Sequence, residues 1–446
     1  MERLIVRDLL AWKENPGKKP LILQGIRQCG KTWLLREFGK TAYEDTAYFN
    51  FEGNEALAAR FEGDLNPHRI AAELGVLRQK VLEPGETLII FDEIQFCNRA
   101  LAALKYFCEE APEYHIVCAG SLLGIALSAP FSFPVGKVDF LTLRPMDFYE
   151  FLLAQGEGPL CAYLEELLPA ERVSELFAPK LERYLRSYLV TGGMPEAVQN
   201  WVNFRDVEKL EAVQRSILDS YELDFAKHAP APEFPRLQEI WRSVPVQLAQ
   251  ENNKFIFSRV KEGRRAKDLE DALQWLLGAG LLYKVTMVEK PGIPLAARED
   301  RTFFKLYMAD PGLLRVMAAL PAAVMLEKES GGLYREFKGA VAENYVLCAL
   351  AGLYGGELHY WRSGNTAEVD FIVQHGAEIV PVEVKAEQNR KAKSLAEYRK
   401  RYSPALAVRT SMKNSAAAPH EGLIDIPLYL LWRLKALLES GAAVPA

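Results

Sequence analysis

The stretch "GIRQCGKTW", residues 25–33, sets four residues between Gly25 and the run Gly30, Lys31 and Thr32. It follows the short apolar run "KPLILQ" and precedes the helix-like "TWLLREFGK". In that strand–loop–helix setting, small residues let successive backbone N–H groups turn inward, and the helix start adds partial positive charge. The backbone of Gly25, Ile26, Arg27, Gln28, Cys29, Gly30, Lys31, Thr32 and Trp33 is therefore expected to cradle the phosphates of ATP. Lys31 is expected to reach the β- and γ-phosphates, and the Thr32 hydroxyl to ligate Mg2+. In "TLIIFDEIQF", Asp92 and Glu93 close an apolar strand, where ligands of a parallel sheet gather. Asp92 is expected to hold Mg2+ through water and Glu93 to act as general base. Ser121, ending "YHIVCAGS", is the candidate sensor of the γ-phosphate, although Gly-Ser is also ordinary turn chemistry.

A second set lies near the other end. Asp370 falls in "NTAEVDFIV", and Glu383 and Lys385 in "EIVPVEVKA". Strand period two puts Glu383 and Lys385 on one face. Two carboxylates and a lysine on a strand pair is the arrangement of metal-dependent phosphodiesterases of the PD-(D/E)xK type. There the carboxylates hold Mg2+ and the lysine orients or activates water. Glu343, in the helix-like "GAVAENYVL", is placed to be a further acid. The alternative is a buried network in which Asp370 and Glu383 pair with Lys385 and Arg362 and nothing is cut.

The elements that must position these residues follow from the apolar pattern. Through about residue 150, continuous apolar strands alternate with helices, which predicts a parallel sheet buried on both faces. Helices follow to about 225, and the prolines of "KHAPAPEFPRL" mark a boundary. Beyond it, three helices and a strand pair suit a winged helix, with Gly278 and Gly280 ending its last helix. Helices mixed with strands fill the remainder. The expectation is an α/β chain in four parts: a P-loop core at 1–142, a helical lid at 143–228, a winged helix at 229–292 and a nuclease-like α/β domain at 293–446.

Composition narrows the classes. The chain has 446 residues, 49% apolar and 25% charged, with a net charge of −5, the balance of an ordinary globular protein. A weakly acidic chain does not coat nucleic acid non-specifically, so contact with DNA must rest on local patches. Two are candidates: "KFIFSRVKEGRRAKD" at 254–268 and "NRKAKSLAEYRKR" at 389–401. The six cysteines form no CxxC pair, which points to a reducing, cytoplasmic setting without structural zinc. Residues 116–135 carry no charge, but Pro130 and Pro134 argue against a membrane helix.

The motifs "GIRQCGKT", "IIFDEIQ", "CAGSLLG", "FPVGKVDFLTLRPMDFYEF" and "YLVTGGMPEAV" occur in this order. They continue through "KLYMADPGLL", "GAVAENYV", "YWRSGNTAEVDFIV" and "VPVEVKA". Over nearly its whole length the chain resembles bacterial and archaeal AAA+ ATPases with a C-terminal restriction-endonuclease-like domain. That resemblance implies an ATPase core, a lid, a winged helix and the terminal α/β domain, and assembly of a homo-oligomer into a ring stands open. Many such relatives carry an arginine where this chain has Lys137, and lysine lacks the planar fork for phosphate. Two functions stand open: an ATP-driven DNA-handling machine, or a nucleotide-gated switch that binds protein partners.

Overall fold

The computed structural model describes residues 1–120, 134–250, 254–261, 265–326, 335–364, 367–385 and 393–441. They form two compact units. One comprises Glu2–Arg144 with Gly278–Gly280, and the other Pro145–Leu277 with Leu281–Ala446.

The first unit holds helix α1 (Val6–Glu14), β1 (Leu21–Gln24), α2 (Lys31–Ala42), β2 (Asp45–Asn50), α3 (Pro67–Leu77), β3 (Thr87–Asp92), α4 (Asn98–Glu110), β4 (His115–Ala119) and β5 (Asp139–Thr142). Its five strands run in the order β2-β3-β4-β1-β5, all parallel. Every residue of β3 is buried, as an unbroken apolar strand flanked by helices requires. The expected parallel sheet is present. Strand β5 extends it by four residues that pair from Leu21↔Asp139 to Gln24↔Thr142. Helix α3 starts on the Asn66 cap with Pro67 in its first turn. It stops at Leu77 because Gln79 turns left-handed (φ 58°) and Lys80 N–H closes onto Gly75 O at 3.1 Å.

The second unit begins with α5 (Phe148–Ala154), α6 (Gly158–Glu166), α7 (Ala178–Thr191), α8 (Pro195–Phe204), α9 (Val207–His228), α10 (Phe234–Leu248) and α11 (Ala266–Gly278). It continues with β6 (Leu282–Val288), β7 (Glu299–Met308), α12 (Pro311–Met317), α13 (Arg335–Tyr354), β8 (Leu358–Ser363), β9 (Ala367–His375), β10 (Glu378–Val384), α14 (Lys393–Tyr402), β11 (Ala407–Ser411), β12 (Leu423–Pro427) and α15 (Leu434–Gly441). Seven strands form one sheet in the order β12-β11-β10-β9-β8-β6-β7. The strand pair expected to end a winged helix, β6 with β7, is antiparallel, but β8 hydrogen-bonds beside β6 in parallel. The pair is thus the end of the larger sheet rather than a free-standing ribbon.

Glycines lock two segments of this unit together. A Cβ on Gly193 would meet Met146 O at 2.0 Å, and one on Gly312 would meet Thr191 O at 2.5 Å. Asp310, 1% exposed, accepts hydrogen bonds from Gly193 N–H at 2.6 Å and Leu313 N–H at 2.9 Å. Burial pushes its carboxyl up to about 6, against those backbone donors. Among the described residues no helix is long and apolar enough to cross a membrane.

Candidate nucleotide site and a second polar cluster

The loop after β1 has the geometry of a phosphate cradle. Gly25 has φ 153°, and a Cβ there would meet Leu143 O at 2.3 Å, so only glycine fits. Gln28 (φ 64°) and Gly30 (φ 94°) take left-handed turns before α2 begins at Lys31. The Lys31 ammonium folds into the loop and donates to Gly25 O at 2.7 Å and Ile26 O at 2.8 Å. Thr32 Oγ1 donates to Asp92 Oδ2 at 2.7 Å, and Tyr48 OH donates to the same oxygen at 2.7 Å. Asp92 Oδ1 accepts from Glu93 N–H at 3.1 Å. Glu93 leaves the strand in a left-handed turn (φ 52°), and its carboxylate accepts from Gln95 Nε2 at 2.5 Å. Burial raises its pKa, with Asp92 adding to the shift and Gln95, Lys31 and Arg27 opposing it. Arg3, 6% exposed, ties the loop from behind, donating to Cys29 O at 3.1 Å and Arg144 O at 2.6 Å.

Residues 17–152 match a family model described as an AAA domain. Residues 182–323 match a domain of unknown function (DUF8612), and residues 338–430 another (DUF4143). Residues 17–152 are thus similar to AAA domains, and their five-stranded parallel sheet is consistent with a P-loop NTPase fold. Solved structures with some likeness include the Walker-type ATPase PabY2304 of Pyrococcus abyssi, at 17% identity and TM-score 0.43, covering 70% of this chain and 94% of that one. AMPPCP-bound DnaA from Aquifex aeolicus is 15% identical at TM-score 0.27, over 61% of this chain and 86% of that one. Cdc6p from Pyrobaculum aerophilum is 14% identical at TM-score 0.24, over 72% and 92%. No curated protein matches the chain.

Within the AAA domain, the donors beside the cradle are oxygens, a hydroxyl and a carboxylate already in contact. That set suits magnesium, a hard cation that takes oxygen ligands. Trp33 is 48% exposed at the start of α2. Cys29 is fully buried and its thiol donates weakly to Leu143 O at 3.6 Å. Lys137 is engaged locally, 2.9 Å from Glu109. Ser121 lies outside the described residues. Two residues at this site were not singled out by motif, Tyr48 and Arg3. Tyr48 faces the same way on β2 as Asn50, which pairs with Asp92.

The second polar set is built on β9 and β10. Their register ends at Val382↔Phe371, so Glu383 stands opposite Asp370 and the two side chains share a face. Asp370 Oδ2 accepts from Val384 N–H at 2.7 Å. Glu383, 4% exposed, takes the Lys385 ammonium on Oε1 at 2.5 Å, while its Oε2 is buried without a hydrogen-bond partner among the described residues. Burial pushes the Glu383 carboxyl up to about 8, Asp370 and Glu343 adding to the shift and Lys385 opposing it. Asp370 is raised too, by burial, against the nearby Lys305 and Lys385. Glu343 accepts from Tyr307 OH at 3.2 Å. Lys305, 1% exposed, lies 2.6 Å from Glu368. Burial works against its charge, yet Tyr307, Glu368, Glu343 and Asp370 hold its pKa well above the ordinary value. The Glu383–Lys385 pair is present, and the cations that act on Asp370 are Lys305 and Lys385 rather than the expected Arg362. Among the described residues no group of three or more His, Cys, Asp or Glu is arranged to hold a metal ion.

Both basic stretches spend charge internally. Lys261 pairs with Glu239 at 2.8 Å, Arg265 with Asp268 at 3.6 Å, and the Lys254 ammonium sits 3.4 Å from the centre of the Phe303 ring. On α14, Arg401 donates to Ser363 Oγ at 2.7 Å and Arg399 to Glu421 O. Residues 262–264 and 389–392 lie outside the described residues.

Proposed function

We propose that the chain binds ATP with magnesium at residues 25–33 and hydrolyses it. The observation that carries this reading is the chain Thr32, Asp92 and Glu93, joined by hydrogen bonds, beside Lys31, whose ammonium rests on the loop carbonyls of Gly25 and Ile26. Lys31 exchanges its loop carbonyls for β- and γ-phosphate oxygens, and the loop N–H groups hold the remainder. Glu93, with its pKa raised by burial, accepts a proton from the attacking water. Thr32 and Asp92 would hold magnesium, which would supply charge neutralisation at the phosphates. The test is ATP turnover and nucleotide binding by the full chain. Lys31→Ala should lose binding, whereas Glu93→Gln should keep binding and lose turnover by about 100-fold or more. Unchanged turnover in both variants would sink the assignment.

The second unit supports a finer reading, that the ATP cycle serves DNA. Asp370 and Glu383 face each other beside Lys385, with one carboxylate oxygen unsatisfied, a demand that a proton or a cation meets. A magnesium ion there would polarise a phosphodiester, with Lys385 stabilising charge at phosphorus. Magnesium-dependent cleavage of branched, single- and double-stranded DNA, lost in Asp370→Ala and altered by ATP, is the expected outcome. Absence of cleavage, together with salt-insensitive capture of a protein partner, would leave a nucleotide-gated interaction switch instead, since phosphate contacts are salt-sensitive.

A further inference from the structure

Tyr48 sits where β2 passes the end of β3. Thr46, Tyr48 and Asn50 share one face of β2, and α2 lies on that face. The close approach is marked by Gly39, where a Cβ would meet Thr46 Oγ1 at 2.3 Å. On α2, Thr32 and Arg36 are one turn apart and therefore on one side of the helix. The Arg36 guanidinium lies 3.8 Å from the centre of the Tyr48 ring. In the parallel register Tyr48 pairs with Ile90 and Asn50 with Asp92. The phenol must therefore reach two residues along the sheet, about 6.6 Å, a step that a phenol spans and a serine does not.

The consequence concerns which donors Asp92 keeps. Its Oδ2 accepts from both Thr32 and Tyr48, each at 2.7 Å. The Thr32 hydroxyl is the group the cradle assigns to the metal, and a hydroxyl that turns to a cation leaves Asp92. Tyr48 has no such second duty. We propose that Tyr48 is a positioning residue for the metal-bound nucleotide: its hydroxyl holds the Asp92 carboxylate in place once Thr32 turns to the cation, and Arg36 holds the Tyr48 ring. This rests on the ATP-binding reading above.

The test measures binding of a fluorescent ATP analogue to the full chain, first in EDTA and then across a magnesium titration, with turnover measured alongside. Tyr48→Phe keeps the ring and removes only the hydroxyl. It should bind nucleotide as wild type does in EDTA and need about tenfold more magnesium for half-maximal effect, the value of one hydrogen bond to a charged acceptor. Its turnover should recover at saturating magnesium. Arg36→Met should shift the magnesium curve the same way by less, and both variants should melt with wild type. A Tyr48→Phe magnesium curve that overlays wild type would overturn the proposal. So would an equal loss of affinity with and without magnesium, which a merely structural role predicts. Wild type that binds no nucleotide, like Lys31→Ala, would instead remove the ATP reading itself.

Discussion

Replacing Glu383 by glutamine probes the second polar cluster through its proton. The carboxyl is 4% exposed, opposite Asp370, and its pKa is raised to about 8. The unfolded chain gives it an ordinary value, about 4.3. Between those values the folded chain binds more protons at this site than the unfolded one, so its stability falls as pH rises. The stabilising share is fully present below the unfolded value and is lost as pH climbs through about 8. Each pH unit inside the window costs up to about 1.4 kcal/mol. Glutamine keeps the shape and cannot titrate. Wild type should therefore lose ground to Glu383→Gln by about 1 kcal/mol per unit between pH 6 and 8, or roughly 1–2 °C in the melting midpoint of a unit this large.

Differential scanning calorimetry of the full chain at pH 6, 7 and 8 reads this directly. Midpoints must be compared unit by unit, because two compact units need not melt together. Midpoints that move in parallel for wild type and variant would show that Glu383 does not hold its proton in this range. The orphaned Oε2 would then need another explanation. Parallel midpoints would also mean that Lys385 and Lys305 outweigh burial and keep the carboxylate charged, since a group ionised in both states adds no slope between pH 6 and 8.

Asp310→Asn should destabilise the second unit by about 1–3 kcal/mol, because the charged acceptor of the Gly193 and Leu313 N–H groups is weakened; chemical denaturation would show it, and an unchanged midpoint would refute it. Gly312→Ala should cost about 3 kcal/mol or more, since its Cβ meets backbone atoms of Thr191 and Gly192 at about 2.5 Å. Nucleotide affinity should survive that change if the unit still folds. Arg3→Met should weaken nucleotide binding about threefold to tenfold by releasing Cys29 O; equilibrium binding that matches wild type would show that the cradle stands without this tie.

The AAA domain was legible because its chemistry is local. Gly25, Gly30, Lys31 and Thr32 must stand at set spacing for one loop to enclose phosphates, and Asp92 must end a buried strand. Tyr48 and Arg3 were not legible, since each acts on a partner far along the chain, 44 and 26 residues away. Strand β5 escaped notice because only four residues pair, with their burial alternating between half-buried and exposed. The antiparallel pair β6–β7 could be read from its pattern, but not the parallel neighbour β8, which arrives only after helices α12 and α13. At the second cluster, strand period placed Glu383 with Lys385. Lys305 was hidden inside "FFKLYMAD", where a lone lysine reads as a solvated strand residue until the fold surrounds it with acids.

Two glycine-rich turns also look alike in sequence and differ in what they hold. At 25–30 the glycines admit left-handed backbone, and the Lys31 ammonium occupies the loop on carbonyls that a phosphate can displace. At Gly192–Gly193 the glycines equally leave no room for a Cβ, yet the group pressed against them is the chain's own carboxylate. Asp310 Oδ1 lies 2.1 Å from where a Cβ on Gly192 would stand, and its Oδ2 takes the Gly193 N–H. A buried anion already satisfies that turn, so "TGGMP" needs no ligand to explain its glycines. The same residue type that opens the first loop to a nucleotide closes the second against one.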